Sequence, residues 1–262
     1  MEKGLNFRTP EGRREYAEAY KATLSLWDIS YIERTVGGTF GDTHCLICGK
    51  EDGIPLVLLP AASCGATIWY PNVSALGKHF RIYAIDLITE ASMSTLRMPM
   101  KGKKQCAQWL AETIDALGIE QPRIAGLSIG GWHAANLAIH HPDRVSRLAL
   151  LSPIQTLARM HLGFFAKIMK MGFNPTRENV EAYIGWGMTE EGALPDSVIR
   201  QFAISAANVN PNAAFPKMIH KKELRAIQCQ TLVIVGENEY AYQPKKAIQV
   251  ANDTILNVKC FY

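Results

Sequence analysis

Five short apolar runs constrain this chain most: IPLVLLP (54–60), RIYAIDL (81–87), PRIAGL (122–127), RLALLSP (147–153) and QTLVIVG (230–236). All read as strands, and IPLVLLP is continuous rather than alternating, the pattern of a strand buried on both faces. Between the first four lie ATIWYPNVSALGKHF, KKQCAQWLAETIDALG and GGWHAANLAIHH, which read as helices. Strands alternating with helices in this way predict an α/β fold, a mostly parallel sheet with helices on both faces. Two further strands, YIERTVGG and THCLICG, precede the series, and LNVKCFY reads as a last strand after it.

The alternation stops after Pro153 and resumes at residue 230. Residues 155–225 hold only helix-like material, including RMHLGFFAKIMKMGF and PTRENVEAYIGWG, which predicts a helical cap inserted between two strands. Met160, Phe164, Phe165, Ile168 and Met171 recur there at helical spacing. Such a stripe packs a helix, and in a cap it also lines whatever lies beneath. At the other end, TPEGRREYAEAYKATLSLW reads as a helix with Thr9 as N-cap and Pro10 at its first position. The expected organisation is an N-terminal helical appendage (1–30), a core built from 31–154 and 226–262, and the cap (155–225).

Composition narrows the function classes. With 262 residues, 48% of them hydrophobic, the chain can bury one large core. Its 28 basic and 24 acidic residues leave a net charge of +4, and its lysine pairs are scattered without interleaved aromatics, so no nucleic-acid partner is expected. No apolar run reaches the ~18 residues of a membrane span and the first twenty residues lack the core of a signal peptide. The expectation is therefore a cytoplasmic protein without a membrane partner. Six cysteines show no disulfide spacing, and Cys45 and Cys48, three apart on one strand, point to opposite faces as buried thiols. No metal and no cofactor are expected.

The chemistry concentrates in GLSIGG (126–131). Ser128 follows an apolar strand and opens a helix, the placement of a nucleophile elbow. Gly126 and Gly130 lack the Cβ atoms that would obstruct so sharp a turn, and the first helical amides point at the serine. With this motif in place, the chain from about residue 31 onward resembles the α/β-hydrolase fold superfamily, in particular its capped carboxylesterase-like members. LVLLPAAS resembles the segment carrying the oxyanion hole, IDL the end of the next strand, GLSIGGW the elbow, and VIVGENE the segment carrying the triad acid. The resemblance implies Ser128 as nucleophile, the backbone amides of Ala62 and Ile129 as oxyanion donors, and Glu239, rather than Glu237, as the acid. It also implies a small-molecule ester-like substrate. Asp86 reads as structural.

Two departures follow. The family's oxyanion turn begins with His-Gly, where this chain has Pro60 and Ala61. The family's order is Ser, acid, His, yet no histidine follows Glu239. Of the seven histidines, His79, His140 and His141 fall near helix C-termini, at the wrong edge of the sheet. His44 and His133 read as structural and His220 lies in the approach to the strand TLVIV, which leaves His161 in the cap as a stand-in. The expectation is a serine esterase truncated before its histidine loop, and severely impaired as this chain. The alternative is a non-catalytic ligand- or partner-binding protein on the same scaffold.

Overall fold

The structure, a computed structural model, describes residues 4–174, 176–185, 194–210 and 216–262. Helix α1 (Pro10–Leu24) starts where the Thr9 side chain accepts the Gly12 amide at 3.0 Å. Strands β1 (Tyr31–Gly38), β2 (Gly41–Gly49) and β3 (Ile54–Leu59) follow. The segment expected to form one helix over 66–80 is instead a 3-10 turn (Ala66–Trp69) and the single-turn α2 (Val73–Leu76). Pro71 has no amide with which to continue the first turn. Next come β4 (Phe80–Ile85), the short β5 (Thr95–Leu96), α3 (Gly102–Ala116), β6 (Arg123–Leu127), α4 (Ile129–His140) and β7 (Arg147–Leu151). The remaining described elements are α5 (Leu162–Phe173), α6 (Arg177–Gly185), α7 (Asp196–Asn208), α8 (Lys221–Leu224), β8 (Gln230–Ile234), α9 (Pro244–Thr254) and β9 (Val258–Phe261).

The sheet order is β1-β2-β4-β3-β6-β7-β8-β9, with β5 beside β2. Pairings among β1, β2, β4 and β5 are antiparallel, and every pairing from β4 to β9 is parallel. The carboxyl ends of β3, β6, β7 and β8 therefore share one edge. One face of the sheet presents Val57, Ile124, Leu148, Leu150 and Val233 to Trp109, Leu110, Trp132 and Ala251 in the larger core. The other face buries Leu46, Leu58 and Ile82 under Tyr16, Tyr20, Trp27 and Trp69. Cys45 and Cys48 divide between these two cores, as their spacing on β2 requires.

Buried side chains of residues 4–30 pack on the rest. Phe7 is fully buried and bridges to Val209 beyond α7. The buried Arg13 guanidinium donates to the carbonyls of Met93 (3.0 Å) and Ser94 (3.3 Å). Met171, Val180, Phe202 and Ala206 form a small separate core between α5, α6 and α7. The cap expected over 155–225 spans these helices, and its residues 175, 186–193 and 211–215 lie outside the described residues.

Candidate active site

Ser128 lies between β6 and α4 with φ 54° and ψ −112°, a conformation that L-residues rarely adopt. Its amide donates to Leu151 O at 2.9 Å, and its carbonyl accepts from Trp132 (3.2 Å) and Ile154 (3.3 Å). The backbone is thus held by the adjacent strand end and by the first helical turn, and the hydroxyl has no hydrogen-bond partner among the described residues. Glycine is required on both sides of it. A Cβ on Gly126 would lie 2.4 Å from Gly130 O, and one on Gly130 would lie 2.3 Å from Leu59 O and 2.6 Å from Pro60 O. The same contact brings α4 against the segment that leaves β3.

That segment, Pro60 to Gly65, carries Ala62. Its positive φ values fall on Ser63 (60°) and Gly65 (66°). Ala61, which occupies the position where the family has glycine, therefore avoids the left-handed region. The turn closes by Cys64 N–H donating to Ala61 O at 3.3 Å. Two carboxylates hold it from outside: half-buried Glu90 Oε2 accepts the Ser63 amide at 3.2 Å, and buried Asp86 Oδ1 accepts the Ala66 amide at 2.8 Å. Gln201 of α7 donates to Cys64 O at 2.6 Å. The amides of Ala62 and Ile129 have no partner among the described residues. Burial, with Glu90 adding to it, pushes the Cys64 thiol up to about 12, so this cysteine stays protonated beside the turn.

Glu239 sits in the loop after β8. Ile234 O accepts the Ser152 amide at 2.8 Å, and Ser152 follows β7, so the loop leaves from the same edge as Ser128. The Glu239 amide donates to Gly236 O (3.0 Å), and its Oε1 accepts the Ala241 amide (2.9 Å). Glu239 is half-buried while Glu237 is exposed. Helix α5 starts on this loop: His161 N–H donates to Ala241 O at 2.8 Å, and the Phe164 ring lies 5.7 Å from that of Tyr240. No hydrogen bond joins Glu239 to Ser128.

None of the seven histidine side chains is bonded to Ser128 or Glu239. His44 Nδ1 lies 2.8 Å from Asp86 Oδ2 and its Nε2 lies 3.1 Å from Glu33. Burial opposes protonation there, but the two carboxylates outweigh it and raise the His44 pKa. Asp86, fully buried, also accepts the Tyr20 hydroxyl at 2.9 Å. His133 is enclosed by Trp109 and Trp132, and burial alone lowers it to about 3. His161 lines a groove of about 460 Å³ with Met218, Gln243 and Lys246, and neither Ser128 nor Glu239 is part of its lining. His140 and His141 close α4 at the opposite edge of the sheet.

The structure brings Gly126, Ser128, Ile129 and Gly130 into one elbow, sets Ala62 close by, and leaves Glu239 on the same edge without contact to the serine. Sequence reasoning missed the side chains behind the turn, Glu90, Gln201 and Tyr16. None of them carries a local signature. Among the described residues there is no cluster of three or more His, Cys, Asp or Glu side chains able to hold a metal, and no helix is long and apolar enough to cross a membrane.

Comparison with known proteins agrees with this geometry. Residues 54–179 match the family described as alpha/beta hydrolase fold. An uncharacterized carboxylesterase nap of Bacillus subtilis is 33% identical over 252 residues, which cover 93% of this chain and 83% of that protein. The carboxylesterase YbfK of the same organism is 30% identical, covering 99% and 89%. Among solved structures, that of the naproxen esterase (carboxylesterase NP) from Bacillus subtilis superposes with a TM-score of 0.90 at 30% identity, over 97% of this chain and 90% of that one.

Proposed function

The chain belongs to the α/β-hydrolase fold family as a carboxylesterase-type hydrolase, and on that premise we propose that it cleaves small carboxylic esters through an acyl-enzyme on Ser128. The observation that carries this reading is the strained Ser128 conformation, with a free hydroxyl beside two unpaired amides. Ser128 Oγ attacks the ester carbonyl carbon and gives up its proton to a base. The carbonyl electron pair moves onto oxygen, where the amides of Ala62 and Ile129 hold the oxyanion. Collapse expels the alcohol, which takes the proton, and water then releases the acid by the same steps. The protein's part is to fix those groups before the charge develops.

Glu239 is the acid in this reading, because it is half-buried on the serine's edge of the sheet while Glu237 faces solvent. A carboxylate that does not touch the serine suits an intervening imidazole. No histidine of the 262 residues occupies that position, so this chain works far below the rate of a complete triad. Loss of the histidine costs on the order of 10⁶ in kcat and leaves about 10³ to 10⁴ over water. We assign residues 155–225 to a cap over the site and residues 1–30 to a segment that supports it. Six free cysteines suit a reducing, cytoplasmic setting.

The test is p-nitrophenyl acetate turnover by the 262-residue chain and by a version carrying a histidine on a loop added after Tyr262. The expected result is weak turnover by the first. Turnover by the second should be several orders of magnitude faster, abolished by Ser128→Ala and lowered about 10⁴-fold by Glu239→Gln. Fast turnover by the 262-residue chain that survives His161→Ala would overturn the assignment of the base. Binding of esters with no turnover by either version would select a non-catalytic binding protein.

A further inference from the structure

The turn that carries Ala62 lacks the glycine its position has in the family, and it is held instead by bonds from outside. We propose that Gln201 of α7 is a positioning residue for this turn, braced by Tyr16 of α1. The proposal rests on the hydrolase reading above and extends it to how the oxyanion hole keeps its shape.

Gln201 is 1% exposed, and both ends of its amide are used. Nε2 donates to Cys64 O at 2.6 Å and lies 3.1 Å from the Tyr16 hydroxyl, while Oε1 accepts from Thr67 Oγ1 at 3.0 Å. Cys64 O can only accept, so the amide orientation is fixed by its partners. One side chain from the helical region therefore grips the turn at Cys64 and the start of the following 3-10 turn at Thr67. Cys64 N–H closes back onto Ala61 O, so a shift of Cys64 is passed to the peptide of Ala62 between them.

Tyr16 sets the depth of that grip. A Cβ on Gly65 would lie 2.5 Å from the Tyr16 hydroxyl and 2.9 Å from Gln201 Nε2, so the turn, the tyrosine and the glutamine are packed against one another at contact distance. Glu90 and Asp86 hold the neighbouring amides of Ser63 and Ala66. Among the described residues, Gln201 is the side chain from the helical region between β7 and β8 that grips this turn. Movement of α7 is thereby coupled to the oxyanion hole through a single buried amide.

A donor whose contact tightens only as the oxyanion forms affects kcat rather than KM. Gln201→Glu keeps the shape of the side chain and removes at least one of the two donated bonds, since a carboxyl has at most one O–H to give. It is expected to lower kcat of the 262-residue chain for p-nitrophenyl acetate about tenfold at unchanged KM, less than the ~10²- to 10³-fold that outright loss of an oxyanion donor costs. It should also speed amide hydrogen exchange over residues 61–67, and not in α3, α4 or α9. Tyr16→Phe keeps the bond to Cys64 and should give the same two changes, each smaller; it serves if Gln201→Glu does not fold. Unchanged exchange over 61–67 in the folded variants overturns the proposal. So does a raised KM at constant kcat, or exchange that rises throughout the molecule. If neither the parent chain nor the version with the added histidine loop shows turnover, the hydrolase reading fails on its own, and the exchange measurement still decides whether Gln201 holds the turn.

Discussion

His133 makes the sharpest quantitative prediction. It lies on α4 five residues after Ser128, 1% exposed, with its ring edge-on to Trp109 at 5.4 Å and Trp132 at 5.0 Å. Its Nε2 is 3.4 Å from Thr89 Oγ1, and Nδ1 has no partner among the described residues. No acid offsets the cost of a buried imidazolium, so burial lowers the pKa from 6.5 to about 3. Well above pH 6.5 the ring is neutral in both the folded and unfolded chain, and the contribution of His133 to stability does not vary with pH. As the pH falls from 6.5 toward 3, the unfolded chain takes up a proton that the folded one refuses, and stability is lost. At pH 4.5 the unfolded ring is two pH units below its pKa, which amounts to about 3 kcal/mol. Urea unfolding of the parent and of His133→Phe at pH 7.5 and pH 4.5 isolates this contribution, because carboxylate titrations are common to both and cancel. The parent should lose about 3 kcal/mol more than the variant between the two conditions. Equal losses would refute the reasoning, and with it the reading of His133 as a neutral, buried structural side chain.

Gly130→Ala tests the packing of the elbow: its Cβ would meet the backbone oxygens of Leu59 and Pro60 at 2.3 and 2.6 Å, neither of which can swing aside. A loss of about 1–3 kcal/mol in urea unfolding is expected, and a neutral result would mean that α4 is free to shift away from β3. Glu90→Gln tests the carboxyl beside the oxyanion turn, whose pKa is raised by burial although the Ser63 amide pulls the other way. A folded pKa above the unfolded one favours the protonated form, so the contribution of Glu90 is fully present below the ordinary carboxylate range and is lost as the pH rises through the raised value. Glutamine retains an acceptor for Ser63 and does not ionise, so Tm should rise at pH 7.5 and stay the same at pH 4; an equal shift at both would exclude the titration.

The sheet was legible because its strands are short apolar runs set between helices. IPLVLLP, PRIAGL and QTLVIVG are β3, β6 and β8, although β8 buries only alternate residues and leaves Ile234 exposed. The stretch from 66 to 80 misled because its apolar residues suit a helix, while a single missing amide at Pro71 divides it into two shorter pieces. Helix α9 is hidden in the sequence: its polar face, Lys245, Lys246, Gln249, Asn252 and Asp253, masks the four buried positions Ala247, Val250, Ala251 and Thr254. The N-terminal helix was visible from its Thr9 cap, but nothing in its own residues says that Tyr16 and Tyr20 reach the centre of the protein.

The site divides along the same line between local and distant causes. The elbow is legible because every requirement falls within five residues: two glycines where a Cβ would strike backbone, and a serine between them in a conformation the strand and helix impose. The other half of the hole is 66 positions away in sequence and became readable only through resemblance. The residues that support it are farther still, with Gln201 separated from Cys64 by 137 positions and from Tyr16 by 185. A glutamine bound for solvent and one bound for a buried carbonyl look alike in a sequence, because the difference lies in the partner. The turn at Pro60 and Ala61 makes the point concretely. Read alone, the missing glycine argues for a distorted hole, since alanine resists the left-handed region. In the fold the positive φ values move to Ser63 and Gly65, where Glu90 and Gln201 bond the Ser63 amide and the intervening Cys64 carbonyl. Torsional freedom within the turn has been replaced by hydrogen bonds from without, so the hole's geometry depends on α7 and α1 as much as on the turn itself.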